Sequence, residues 1–268
     1  KDLSGLSLSE VTSMIMGQTG TKVTLKVFDP KSSITQDYVL KRARIIIKNV
    51  EWSQIAGTKI ADIRLSAFSQ GVGDDLQKAL EEIQSQGMEG IILDLRNNPG
   101  GLLDEAVNVA SQILTSGDVL LAKDAQGHLS PYPVKTGRKV TSLPVIVLVN
   151  QGTASAGEIV TAALKGSGRA TVVGETTFVT GTVLNQFSLS DGSAIYLATE
   201  EWLTPNGETI WHKGISPGVE VSLPADVAML FPDALKQMST EQVQGSGDVQ
   251  VLRGLNLLEQ LAQSQSDQ

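Results

Sequence analysis

The chain of 268 residues has no cysteine, only two histidines and an aromatic content of 4%. The missing thiols exclude thiolate nucleophiles, thiolate metal sites and disulfides, and they leave the redox compartment open. His128 and His212 lie far apart, so a histidine-rich metal centre is not expected and each reads as a surface or loop residue. No cofactor or metal is called for. No window approaches the length of a membrane span. The opening Lys1-Asp-Leu is polar and carries no secretory signal, and it reads as a trimmed or processed form from which targeting is not legible. Basic charge is scarce as well: 21 Lys and Arg stand against 29 Asp and Glu, a formal net charge of −8. That excludes a broad phosphate-binding surface and a nucleic-acid partner.

What is present is 41% hydrophobic residues, enough for one large or two smaller globular domains. Residues 1–44 read as a helix, Leu6 to Met16, and two strands, Lys22–Phe28 and Tyr38–Ala43. That is too little to bury a core alone, so this is half a domain or a docked unit. From Ile45 strands alternate with helices. Strand 59–65 precedes a helix over 73–86 with Leu76, Ala79, Leu80 and Ile83 on one face. Strand 90–95, a second helix 103–114 and a strand 119–122 follow. Gln126 to Thr141 is polar and reads as a surface loop or lid. Strands around 170–173, 183–189 and 194–198 come later. The pattern predicts an α/β fold, a mixed β-sheet core covered by helices on both faces. Ser239 to Asp248, rich in Ser, Gln and Gly, reads as a linker before a short amphipathic helix over 249–262.

The centre of the chain is Pro144-Val-Ile-Val-Leu-Val149, a buried strand ending in the turn cluster Asn150-Gln-Gly152. Thr153-Ala-Ser155-Ala-Gly-Glu158 then opens an apolar helix. Such a junction presents a hydroxyl beside a helix N-terminus whose free N–H groups can hold an oxyanion. The competing reading is that Thr153 or Ser155 caps the helix. Gly100 and Gly101, in Arg96-Asn-Asn-Pro-Gly-Gly101, suit a backbone that approaches an anion closely, and equally a plain strand-to-helix turn.

Several ordered stretches carry a resemblance. Leu93-Asp-Leu-Arg-Asn-Asn-Pro-Gly-Gly101, Asn150-Gln-Gly-Thr-Ala-Ser-Ala-Gly-Glu158 and Gly168-Arg-Ala-Thr-Val-Val-Gly-Glu-Thr-Thr-Phe178 resemble the signature blocks of the C-terminal processing peptidases (tail-specific serine proteases, family S41). Leu189-Ser-Asp-Gly-Ser193 and Gly214-Ile-Ser-Pro-Gly-Val-Glu-Val221 are similar to its closing blocks. The opening Gly5-Leu-Ser-Leu-Ser-Glu-Val11 through Leu25 resembles the second half of a PDZ domain. The resemblance implies a crotonase/ClpP-like core at 45–223, a truncated PDZ-like α+β unit at 1–44 and a C-terminal linker and helix at 224–268. It implies Ser155 as nucleophile, with oxyanion donors at the N–H of Ala156 and of a glycine in Gly100-Gly101. The substrate it implies is a polypeptide with a flexible C-terminal tail, cleaved outside the cytoplasm, at the periplasm or cell surface.

The chain departs from the family at the base. The family's lysine falls on Thr180, and the glutamine that orients it falls on Leu184, so neither a basic lone pair nor its partner is present. Lys165 would sit roughly 15 Å along the helix from Ser155. Lys213 and Glu175 are weaker substitutes, and His212 is kept as the alternative base because histidine alone titrates near neutrality unaided. Three readings remain open: a serine peptidase, a pseudo-peptidase that binds peptides without cutting them, and a crotonase-like small-molecule enzyme. Self-association and a partner that supplies the base are left open too.

Overall fold

In the computed structural model the chain is described at residues 2–30, 32–44 and 48–266. It divides into two compact units, Lys1–Lys48 and Asn49–Gln268. The expected boundary at Ile45 falls within residues 45–47, and the expected trimmed start on Lys1; both lie outside the described residues.

The first unit holds helix α1 (Leu8–Ile15) and strands β1 (Lys22–Asp29) and β2 (Ile34–Lys41). Ser7 caps α1 and Glu10 reaches back to the Ser7 amide at 2.8 Å, which satisfies amides that the first helical turn leaves free. β1 and β2 form an antiparallel hairpin with Lys22 opposite Lys41. Arg42 ties it to the helix end, donating from Nε to Ile15 O at 2.7 Å. No described residue of this unit is fully buried, as expected for so short a segment.

The second unit begins with β3 (Val50–Gln54), β4 (Ile60–Leu65), α2 (Val72–Ser85), β5 (Gly90–Asp94) and α3 (Leu103–Ala110). It continues with β6 (Asp118–Lys123), β7 (Leu129–Pro133), β8 (Val145–Val149), α4 (Ala156–Gly166) and β9 (Ala170–Gly174). β10 (Thr182–Ser188), β11 (Ala194–Leu203), β12 (Val219–Glu220), α5 (Pro232–Leu235), α6 (Thr240–Gln244) and α7 (Val249–Ser266) complete it. The main sheet runs β12-β9-β8-β5-β4-β3, parallel except where β3 pairs antiparallel with β4. Alternate residues of its strands pack on opposite layers. Ile63, Leu93 and Val147 meet α2, α3 and α4, while Ile60, Ile92 and Ile146 meet Leu235, Val243, Val251 and Leu255 of the C-terminal helices. A second, antiparallel sheet runs β10-β11-β6-β7.

Two expectations are corrected. The segment 126–141 is not all loop, since Leu129–Pro133 pairs with β6 as an edge strand. The stretch 239–248 is not a linker: α6 forms within it, and Val243 and Asp248 are buried. Its polar composition conceals a segment that packs on the sheet.

Candidate active site

The buried central strand β8 delivers the turn 150–155 to the carboxyl end of the parallel strands. Thr153, one of the two candidate caps, is fully buried, and its hydroxyl donates to Leu95 O at 2.8 Å. It fastens this turn to the end of β5. Ser155 takes the N-cap position of α4 with φ 51° and ψ −117°. A non-glycine residue in that region costs of order 1–3 kcal/mol, so its surroundings must hold it there.

Glu158 does much of that holding. Its carboxylate is fully buried; Oε2 accepts from the N–H of Ser155 at 2.9 Å and of Thr180 at 3.0 Å. Oε1 accepts from the Thr177 hydroxyl at 2.7 Å and the Val179 N–H at 2.8 Å. One carboxylate therefore joins the serine turn to loop 177–180. The Ser155 hydroxyl approaches the Glu158 amide in capping-box fashion but closes no cap hydrogen bond. Ser155 and Glu158 have the S-x-x-E spacing of a helix start, but that local signal does not show the reach of the carboxylate to loop 177–180.

Loop 95–101 lies on the other side. Ala154 N–H donates to Asn98 O at 2.9 Å, and Asn150 pairs with Asn97 through both backbone and side chain. A Cβ on Gly100 would lie 2.7 Å from Ser155 Cβ and 2.9 Å from Ala156 N, and one on Gly101 would collide with Phe68 O. With φ of 94° and 143°, both positions require glycine. Gly100 N–H is occupied by Asn98 Oδ1 at 2.8 Å. The N–H groups of Ala156 and Gly101 donate to no partner among the described residues. The amide that follows Ser155 and the one that follows Gly100, which packs on Ser155, are therefore both free to donate.

Beneath loop 95–101 the buried Arg96 donates to Asp94 at 2.6 Å, to Asp248 at 2.9 Å and to Leu230 O at 3.0 Å. Asp62 is fully buried beside them, with neither oxygen hydrogen-bonded among the described residues. Burial first, and then the Asp94 charge, push its carboxyl well above the ordinary range.

The resemblance places a base at residue 180, which here is a threonine. Thr180 Oγ1 accepts from Ser155 N–H at 3.2 Å, so this side chain lies against the serine's own residue but carries no basic nitrogen. Its neighbour Val179 has φ 83°, a region that β-branched residues avoid. Leu184 lies in β10 with 57% of its surface exposed. His212 sits at φ 61° with its ring centroid 4.5 Å from that of Trp211, and it makes no hydrogen bond to Ser155. Lys165 Nζ is engaged with Ser216 O at 2.7 Å. The structure therefore brings Ser155, Ala156, Gly100, Gly101 and Thr180 together, and bonds neither Leu184 nor His212 to them.

A profile of peptidase family S41 matches residues 59–221. The carboxy-terminal processing protease CtpA of Bacillus subtilis is 36% identical over 238 residues, covering 88% of this chain and 50% of its own length. A carboxyl-terminal-processing protease of Synechocystis sp. is 35% identical over 261 residues, covering 96% of this chain and 58% of its own. Among solved structures, the photosystem II D1 C-terminal processing protease superposes with a TM-score of 0.63 at 33% identity, over 83% of this chain and 62% of that one. The chain spans about half the length of the curated relatives it matches.

Proposed function

The chain belongs to peptidase family S41, and from that premise we propose that it is a serine peptidase of the C-terminal processing type, with Ser155 as nucleophile. The observation that carries the reading is the hydroxyl-bearing residue held at positive φ beside the unpaired amides of Ala156 and Gly101. A flexible polypeptide tail adds as a strand to the free edge of β10, which starts two residues after Thr180. The first unit takes part as the remaining half of a PDZ-like domain. A groove lined by Leu3, Ile15, Leu25 and Val27 between its helix and hairpin supports this. Ser155 Oγ attacks the scissile carbonyl carbon, and the oxygen that gains the charge takes the two amide donors. The hydroxyl proton must go to a base, and the leaving amine must gain a proton. By the family resemblance the work is done outside the cytoplasm.

The residues at the base position favour a second reading, a peptide-binding module that turns substrate over slowly or not at all. Thr180 has no lone pair that is basic near neutral pH, and Glu158 has its oxygens committed to four donors. A partner that supplies a base is the remaining route to activity. The experiment measures hydrolysis of a protein with a flexible apolar C-terminal tail by the wild type, Ser155→Ala and Thr180→Lys/Leu184→Gln. Peptidase action predicts a wild-type rate that Ser155→Ala abolishes; equal rates in those two forms remove it. Binding without cleavage, converted to cleavage by the double substitution, establishes the second reading.

A further inference from the structure

β10, β11 and β6 border an open groove of about 360 Å³ whose walls include Lys123, Asp124, Thr182, Glu200, Glu201 and Trp211. The residues that line it include three acidic ones and a single lysine. The Lys123 ammonium is taken by Glu201 at 2.6 Å, and Glu201 also accepts the Thr209 hydroxyl. Asp124 is occupied by the ring of His128 at 2.9 Å and by its amide at 2.8 Å. Glu200 also lines the groove, and its carboxylate has neither a hydrogen bond nor an ion pair among the described residues.

The Trp211 ring contributes the apolar wall and is 51% exposed. Its backbone lies against Gly181, the residue after Thr180, so the groove opens next to the candidate site. Negative potential extends across this region. Burial, then the charges of Glu200 and of Asp104, raise the Tyr132 phenol above its usual pKa. Asp104 lies in the first turn of α3, three residues after Gly101.

We propose that the groove is a subsite for a Lys or Arg side chain of the polypeptide substrate, with Glu200 as its ion-pair partner and Trp211 as the aromatic face it lies on. An unpaired carboxylate beside an exposed indole is complementary to a cation in both charge and shape. An aliphatic side chain would leave Glu200 facing apolar surface, and an acidic one would face like charge. The inference rests on the polypeptide-substrate reading above, but not on turnover.

The test uses the full chain as Ser155→Ala, so that cleavage cannot deplete the ligand. Fluorescently labelled eight-residue peptides, with a single Arg, Leu or Glu scanned through every position, are titrated by anisotropy. At one register the Arg peptide should bind about 10-fold tighter than its Leu counterpart, with the Glu peptide weakest. Adding Glu200→Gln or Trp211→Leu should each remove most of that preference while leaving the Leu peptide's affinity within about 2-fold. Circular dichroism checks that each variant folds, and Glu200→Gln, at a half-buried surface position, provides the decisive arm. Equal affinities for Arg and Leu peptides at every register overturn the subsite alone, as does an Arg preference that survives Glu200→Gln. Absence of binding by any peptide overturns the polypeptide reading together with the subsite.

Discussion

Two loops flank Ser155, and they have diverged in what they supply. Residues 95–101 place glycines where the backbone turns left-handed next to the serine, and an asparagine, the best-tolerated alternative, at Asn97 with φ 56°. This loop is sewn to the serine turn by Thr153, Asn98 and Asn150, and anchored from below by Arg96. Residues 177–184 put a valine at φ 83° and a threonine at the position where the resemblance implies a lysine, and they reach the serine turn largely through the Glu158 carboxylate. On the peptidase reading proposed above, the first loop holds the amides that would receive negative charge, and the second has no basic nitrogen to take the proton. Stabilising charge on an oxyanion needs only backbone held in place, whereas proton transfer needs one particular side chain.

The largest expected effect comes from repairing the second loop. Thr180→Lys with Leu184→Gln should raise kcat/KM for a flexible tailed substrate by about 100-fold or more, the usual worth of a positioned acid–base group. An unchanged rate would mean that loop geometry, not the missing nitrogen, limits the chemistry. Breaking the joint between the loops is the next largest effect. Glu158→Gln offers a neutral amide to donors that now share a carboxylate, and should lower stability by about 2 kcal/mol in urea melts. Amide hydrogen exchange should speed up at 179–180 while 95–101 stays protected; equal loosening of both loops would mean that Glu158 braces them alike.

The unevenness of the site also governs what could be read from the sequence. β8 and α4 were legible because a pure apolar run and its turn cluster are local signals, and so were the glycines of 95–101. Glu158 was not, because its worth comes from donors at Thr177, Val179 and Thr180, 19 to 22 residues away. Likewise Asp248 reads as part of a polar linker until Arg96, 152 residues earlier, is found at its carboxylate. β3 escaped notice because an edge strand is only half buried and lacks the full apolar signal of a central one. Segments whose order depends on distant partners leave no periodicity of their own.

The anchoring of the first loop can be probed by pH. Asp62 faces Asp94, Arg96 and Asp248, with Arg64 alongside, and its carboxyl titrates higher in the folded chain than in the unfolded one. Stability from such a group is fully present below its unfolded pKa, about 4, and is lost as pH rises through the folded value. Relative to Asp62→Asn, the wild type should therefore lose stability as pH rises above about 4. Urea melts across that range measure it, and a pH-independent difference between the two proteins would show that Asp62 does not stay protonated.

The smallest effect discriminates best between the loops. Val179 occupies a left-handed position that costs a β-branched residue of order 1–3 kcal/mol, while glycine there would pay back roughly 0.5–1 kcal/mol in chain entropy. Val179→Gly should accordingly stabilise the protein by about 1 kcal/mol, a rise in Tm of roughly 2–4 °C for a domain of this size. The mirror change, Gly100→Ala, places a methyl 2.7 Å from Ser155 Cβ and should destabilise by more than Val179→Gly gains. Opposite signs would mean that one loop still meets its backbone demands and the other bears a strain glycine would relieve. If Val179→Gly is neutral or costly, the two loops are equally well fitted, and the altered base position is then no sign of relaxed constraint but a geometry the fold actively maintains.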